Sequence, residues 1–150
     1  MIVLAFDGSE SATHAIESAH ALLGDVPVTV LHVWDPPVTY FDADPFGGLQ
    51  SWSPGQIADL ESAIRDRAQR VLDEGVTLAR KAGFAAEGRL ERAAAAPWRT
   101  IIDVADELDA QLIVAGARGL STVGSVVLGG VSNALVHHAK RPVLVVPKLS

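Results

Sequence analysis

"QLIVAGARGLSTVGSVVLGGVSNALVHHA" (111–139) runs from an apolar stretch, through a glycine-rich segment, into a helix-like pattern. Gly116, Gly119, Gly124, Gly129 and Gly130 all fall on this one strand-to-helix junction. Glycine accepts positive φ and lets backbone N–H groups come close to another molecule. The N-terminus of a following helix adds partial positive charge, which suits an anion. Two meanings are open at this point: a phosphate cradle between Gly116 and Gly130, or tight packing of strand against helix.

Working outward, similar apolar runs appear at "IVLAF" (2–6), "VPVTVLHVW" (26–34), "QLIVAG" (111–116) and "RPVLVVP" (141–147), with a weaker one at "FAAEGRLE" (84–91). The stronger runs are apolar on successive residues, as expected of strands covered on both faces of a parallel sheet. Helical spacing lies between them. Ala12, Ala15, Ile16, Ala19, Leu22 and Leu23 form a stripe in 9–23, with Ser9 as N-cap and Gly24 as terminator. Ile57, Leu60, Ile64, Val71, Leu72 and Leu78 form another in 56–82, ended by Gly83. A third is Trp98, Ile101, Ile102, Ala105 and Leu108, with Pro97 at its first turn. The last helix is predicted from about 124 to 139, stopping before Pro142.

The order β-α-β-α-β-α-β-α-β predicts one domain over residues 1–150, an open parallel sheet with helices on both faces. "DPPVTYFDADPFGGLQSWSPG" (35–55) is its one long irregular insertion and a candidate lid. Tyr40, Phe41, Phe46 and Trp52 give it aromatic content that either meets a partner or packs back on the domain.

Composition removes several function classes. A chain of 150 residues with 49% apolar and 20% charged residues fits a soluble globular domain. The net charge of −6 disfavours non-specific nucleic-acid binding. There is no cysteine, hence no disulfide, thiolate metal site or cysteine nucleophile. No apolar run approaches the roughly 20 residues that cross a bilayer. "MIVLAFDGSE" lacks a basic n-region, so a cytoplasmic protein without membrane contact is expected. His14, His20, His32, His137 and His138 have no metal-ligand spacing, and no protein metal site is expected.

In open α/β sheets, ligands bind beyond the carboxyl ends of the strands, where the strand order reverses. Those ends carry "DGS", "VWD", "RAAAAPW" and "GARGLST" here. Neither a GxxxxGK[ST] loop nor a GxGxxG fingerprint after the first strand is present. The glycines answer to another pattern. "GARGLSTVGSVVLGGVS" resembles the G-x2-G-x9-G-[S/T] motif of the universal stress protein family, in its ATP-binding branch. "VLAFDGSE", "VLHVW" and "HHAKRPVLVVP" are similar to that family as well, so the resemblance covers nearly the whole chain.

This resemblance implies a flavodoxin-like or adenine-nucleotide α-hydrolase-like sheet, order 3-2-1-4-5, with ATP across its carboxyl edge. It places Asp7 at the adenine or ribose end, with Ala5 beside it, and Val33 as the residue whose main chain recognises adenine. Gly116, Arg118, Gly119, Ser121 and Thr122 match the ribose and phosphate loop. Gly129, Gly130, Val131 and Ser132 match the second phosphate-binding turn. Gly130 stands where the motif has Ser or Thr. The missing hydroxyl donor is worth about 1–2 kcal/mol if it met a charged phosphate, and Ser132, Ser121 or Thr122 are candidates to replace it.

From the residues alone, Asp7 is equally a turn-former, and Arg118 equally a solvated surface arginine. The loop has neither carboxylate nor lysine to orient water and neutralise transition-state charge, so no catalytic residue is expected. Any Mg2+ rides on nucleotide phosphates. The resemblance also implies a homodimer through the 141–147 strand. The combined expectation is an ATP-dependent stress-response regulator with an unknown protein partner. A non-nucleotide dimeric interaction protein of the same fold, and a weak ATPase, are the alternatives.

Overall fold

The computed structural model describes residues 1–37, 52–117 and 128–147. Along the chain lie β1 (Ile2–Ala5), α1 (Glu10–Leu23), β2 (Pro27–Trp34), α2 (Pro54–Ala82), β3 (Ala85–Arg92), α3 (Pro97–Glu107), β4 (Leu112–Gly116), α4 (Gly130–His138) and β5 (Val143–Val146). The five strands form one parallel sheet, as the strand-helix alternation predicts, in the order β3-β2-β1-β4-β5 that the family resemblance implies.

Alternation along each strand divides the apolar residues between two faces. Ile2 and Leu4 of β1, with Val28 and Val30 of β2, pack against Ala12, Ala15, Ile16 and Ala19 of α1 and Leu72 and Ala79 of α2. Val3, Leu31, Ile113 and Ala115 face the other way, onto Ile101, Val104 and Ala105 of α3 and Leu135 of α4. Because both faces are covered, successive residues are buried, and this is why the strands appear as continuous apolar runs.

Local chemistry sets the helix ends. Ser9 accepts the Ala12 N–H at 3.1 Å, and Gly24 follows the last turn of α1. Ser53 and Gln56 form a reciprocal capping box ahead of α2, with Pro54 opening the helix. Gly75, in the middle of α2, lies under the Phe6 ring; a Cβ there would stand 2.5 Å from that ring. A helix-weakening residue is thus used where an aromatic side chain must approach the backbone.

One boundary differs from the sequence expectation. The last helix begins at Gly130, not near 124, because Gly129 is extended at φ −68°, ψ 163° and acts as its N-cap. Residues 124–127 lie outside the described residues, as does 38–51, most of the 35–55 insertion including Tyr40, Phe41 and Phe46. Trp52 is described and is exposed. No helix among the described residues is long and apolar enough to cross a membrane.

β1 and β4 are neighbours, yet the chain leaves β1 toward β2 and leaves β4 toward β5. This is the switch point of the sheet, the topological position where open α/β sheets form a crevice at the carboxyl edge and take ligands.

Candidate functional site

The first wall of the crevice is the turn from β1 into α1. Gly8 has φ +82°, a conformation that side chains rarely adopt. Asp7, half-buried, accepts the Ser9 N–H at 2.9 Å through Oδ1 and so closes an Asx-type turn. The turn-forming role of Asp7 is therefore real. It engages one carboxylate oxygen, and a carboxylate has two.

The second wall is the end of β2. Phe6 donates its N–H to the Leu31 carbonyl at 2.9 Å, while Ala93 donates to the Trp34 carbonyl at 2.9 Å. Main-chain groups alternate in direction along a strand. Leu31 faces β1 and Trp34 faces β3, so Val33 turns its N–H and C=O toward β1. β1 ends at Ala5, paired with Leu31 two residues earlier. The Val33 main chain thus looks toward the carboxyl end of β1, and its half-buried side chain, like that of Ala5, packs against the core on the α3–α4 face.

His32, between them, points to the opposite face. Its Nδ1 lies 2.8 Å from the Phe6 carbonyl oxygen. A carbonyl only accepts, so Nδ1 carries the proton and Nε2 is left as an acceptor. Burial pushes the His32 pKa below the ordinary value near 6.5, against the opposing pull of the Phe6 bond and the carboxylates of Asp7 and Asp35. The imidazole is accordingly neutral at pH 7. The sequence marks His32 only as one of five histidines without metal-ligand spacing, and nothing but its place beside Val33 sets it apart.

The third wall is the junction of β4 with α4. Gly116 and Gly130 separate cleanly here. A Cβ on Gly116 would lie 2.6 Å from the Ser11 hydroxyl oxygen and 2.7 Å from its main-chain carbon. Strand-against-helix packing therefore accounts for this glycine. A Cβ on Gly130 would meet none of the described residues within 4 Å, so packing among them does not account for that one.

The ends of the intervening segment are pinned together. Ala117 donates its N–H to the Val146 carbonyl at 2.8 Å, and its own carbonyl accepts the Gly129 N–H. Ser132, 2% exposed, has its hydroxyl 2.9 Å from the Ala117 carbonyl and 3.1 Å from that of Gly129. Of the three candidates to replace the missing motif hydroxyl, Ser132 has its own hydroxyl buried and directed at these carbonyls. Its single hydroxyl proton is committed to the carbonyls that hold the junction closed. Val131 is 37% exposed on the first turn of α4, and that turn has no side-chain cap. Arg118, Gly119, Ser121 and Thr122 lie outside the described residues.

The fold brings Ala5, Asp7, Val33, Gly116 and the start of α4 to one sheet edge. Among the described residues, no group of three or more histidine, aspartate or glutamate side chains is placed to hold a metal ion. Residues 1–147 match the family model described as "Universal stress protein family". The chain belongs to the universal stress protein family.

A universal stress protein of Mycolicibacterium smegmatis is 32% identical over 97% of the chain, which spans only 47% of that relative's length. A universal stress protein of Thermus aquaticus is 33% identical over 97% of the chain and 96% of its own length. Among solved structures, the universal stress protein of Archaeoglobus fulgidus in complex with dAMP superposes with a TM-score of 0.61. It is 29% identical, covering 97% of this chain and 95% of that one. The resemblance seen in the glycine motif thus extends over the whole described fold.

Proposed function

We propose that this chain binds an adenine nucleotide in the crevice bounded by Asp7, Val33 and the segment from Gly116 to Gly130. The observation that carries this reading is the free edge at Val33. One residue offering N–H and C=O side by side complements a base edge that has an acceptor next to an amino donor, as adenine does. Guanine offers the reverse pair. The Archaeoglobus relative's complex with dAMP supports the same ligand class.

The residues fit a phosphate tail as well. The space at Gly130, clear of the described residues, and the uncapped amides of the α4 N-terminus suit oxyanions, with Gly129, Val131 and the Ser132 main chain beside them. Arg118, Gly119, Ser121 and Thr122 complete that end by their match to the family motif. ATP is the physiological ligand on this reading, and any Mg2+ is carried by its phosphates. The protein acts as a nucleotide-dependent regulator of the stress response in the cytoplasm rather than as a catalyst. β5 lies at the edge of the sheet, and residues 141–147 supply a two-fold dimer contact. An as yet unidentified protein partner receives the signal.

A second reading has observations of its own. Gly116 is explained by packing and the Ser132 hydroxyl is buried, as in an interaction protein whose nucleotide site has decayed. Calorimetric titration separates the two. MgATP, AMP and GTP are added in turn to protein stripped of bound nucleotide. Binding of ATP and AMP but not GTP, abolished by Gly119→Asp, is the expected result. No adenine-nucleotide binding at millimolar concentration overturns the proposal in favour of the decayed site.

A further inference from the structure

The Phe6 carbonyl raises a question of register. Phe6 N–H bonds to the Leu31 carbonyl, so the parallel ladder would next send the Val33 N–H to the Phe6 carbonyl. Among the described residues no such main-chain bond exists. The carbonyl instead takes the His32 Nδ1–H at 2.8 Å. A side chain has replaced the backbone donor that the sheet would have supplied.

Two consequences follow. The Val33 amide is released from the ladder at the point where it faces the crevice. The last residue before the Asp7 turn is also tied to β2 by a polar bond that does not use the ladder. Apolar contacts complete the seating: the Phe6 ring rests on Gly75, and Gly8 sits against Val71 of α2. Those contacts fix the depth of the turn. Among the described residues the His32 bond is the one that holds the Phe6 carbonyl, while the Phe6 N–H is held by Leu31.

We infer that His32 is a positioning residue for base recognition: by taking the Phe6 carbonyl, it keeps the Val33 N–H available to an adenine edge and orients the turn that carries Asp7. This deepens, and rests on, the nucleotide reading above. Without the imidazole donor, the Val33 amide has the Phe6 carbonyl as its nearest ladder partner. The crevice then loses the donor of its donor–acceptor pair, and discrimination between adenine and guanine narrows.

The test compares wild type with His32→Leu, which removes the donor, and His32→Asn, whose amide N–H stands near the Nδ1 position. AMP and GMP are titrated by calorimetry into each, alongside thermal unfolding. His32→Leu is expected to bind AMP about tenfold more weakly, the loss of one net hydrogen bond, with a smaller AMP-to-GMP ratio. His32→Asn restores affinity to within about threefold and restores the ratio. Should His32→Leu fail to fold, the asparagine variant and the wild-type histidine 15N NMR spectrum decide the matter. The spectrum must show Nδ1 protonated and Nε2 bare.

Wild type that binds no AMP overturns the nucleotide reading and this inference with it. Wild type that binds, with His32→Leu binding equally well, overturns this inference alone. So does a folded His32→Asn as weak as the leucine variant, which would assign the effect to ring packing. The opposite tautomer also overturns it.

Discussion

Gly116 and Gly130 bracket the same junction, yet they are glycines for opposite reasons. At Gly116 the space of a side chain is already filled by Ser11 of α1, down to its main-chain carbonyl oxygen at 2.8 Å from a Cβ. At Gly130 a Cβ would meet none of the described residues, and φ there is not in the left-handed region. A sequence motif joins them, but the fold uses one as a seam and leaves the other clear of the described residues. The lesson is that a glycine-rich signature can combine a structural requirement with a functional one, and substitution separates them.

The largest effect is expected at the seam. Gly116→Ala forces a methyl group against the backbone of α1, which cannot rotate away as a flexible side chain could. Overpacking of this kind costs about 1–3 kcal/mol. Equilibrium urea unfolding should show the stability lowered by that amount, read as an earlier midpoint with little change in slope. A variant as stable as wild type would mean that α1 shifts freely over β4, and the distinction between the two glycines would collapse.

Much of this was legible in the sequence. The strands announced themselves because both sheet faces are covered, so Val28, Val30 and Leu31 needed no polar alternation. Ser9 and Gly24 marked α1 because capping is local chemistry. The site was legible where the family motif matched and obscure where a contact is long-range. Nothing near Gly116 names Ser11, which comes from the other end of the chain. Likewise, the direction of the Ser132 hydroxyl depends on the carbonyl that Ala117 presents from β4. The start of α4 was misjudged because Val126, Val127 and Leu128 prolong the apolar pattern toward 124, while the break lies in the extended backbone of Gly129. His32 was missed since its role is a matter of register between β1 and β2, a cross-strand property that spacing along one strand does not contain.

An intermediate effect is expected from pH, and it probes the packed side of the crevice. Burial holds the folded His32 pKa below the unfolded value near 6.5. As pH falls through that value, the unfolded chain gains a proton that the folded chain refuses. Stability from this group is therefore fully present above pH 6.5 and declines below it, until the folded imidazole titrates too. The slope in that window is at most about 1.4 kcal/mol per pH unit. The other histidines contribute their own slopes, so the informative quantity is the difference between wild type and His32→Asn from pH 7.5 to 5. That difference should shrink as pH falls. Parallel curves would show that the His32 environment is wet, and that the crevice floor is looser than the contacts of Phe6 with Gly75 imply.

The smallest effect on stability is expected on the open side, from Gly130→Ser. None of the described residues occupies the space a Cβ would take, and the residue opens α4 with ordinary helical freedom. Unfolding should move by no more than about 0.5 kcal/mol, as for surface substitutions. Ligand affinity is a separate matter. Serine restores the hydroxyl that the family motif carries there, next to amides already suited to an oxyanion. A charge-assisted hydrogen bond of about 1–2 kcal/mol corresponds to roughly 5- to 30-fold tighter ATP binding, with adenosine unaffected because it has no phosphate. Tighter ATP binding at unchanged stability makes Gly130 a tuned position in a working site. Unchanged affinity for both ligands would place the phosphates away from this turn, and the open space above Gly130 would then need another explanation.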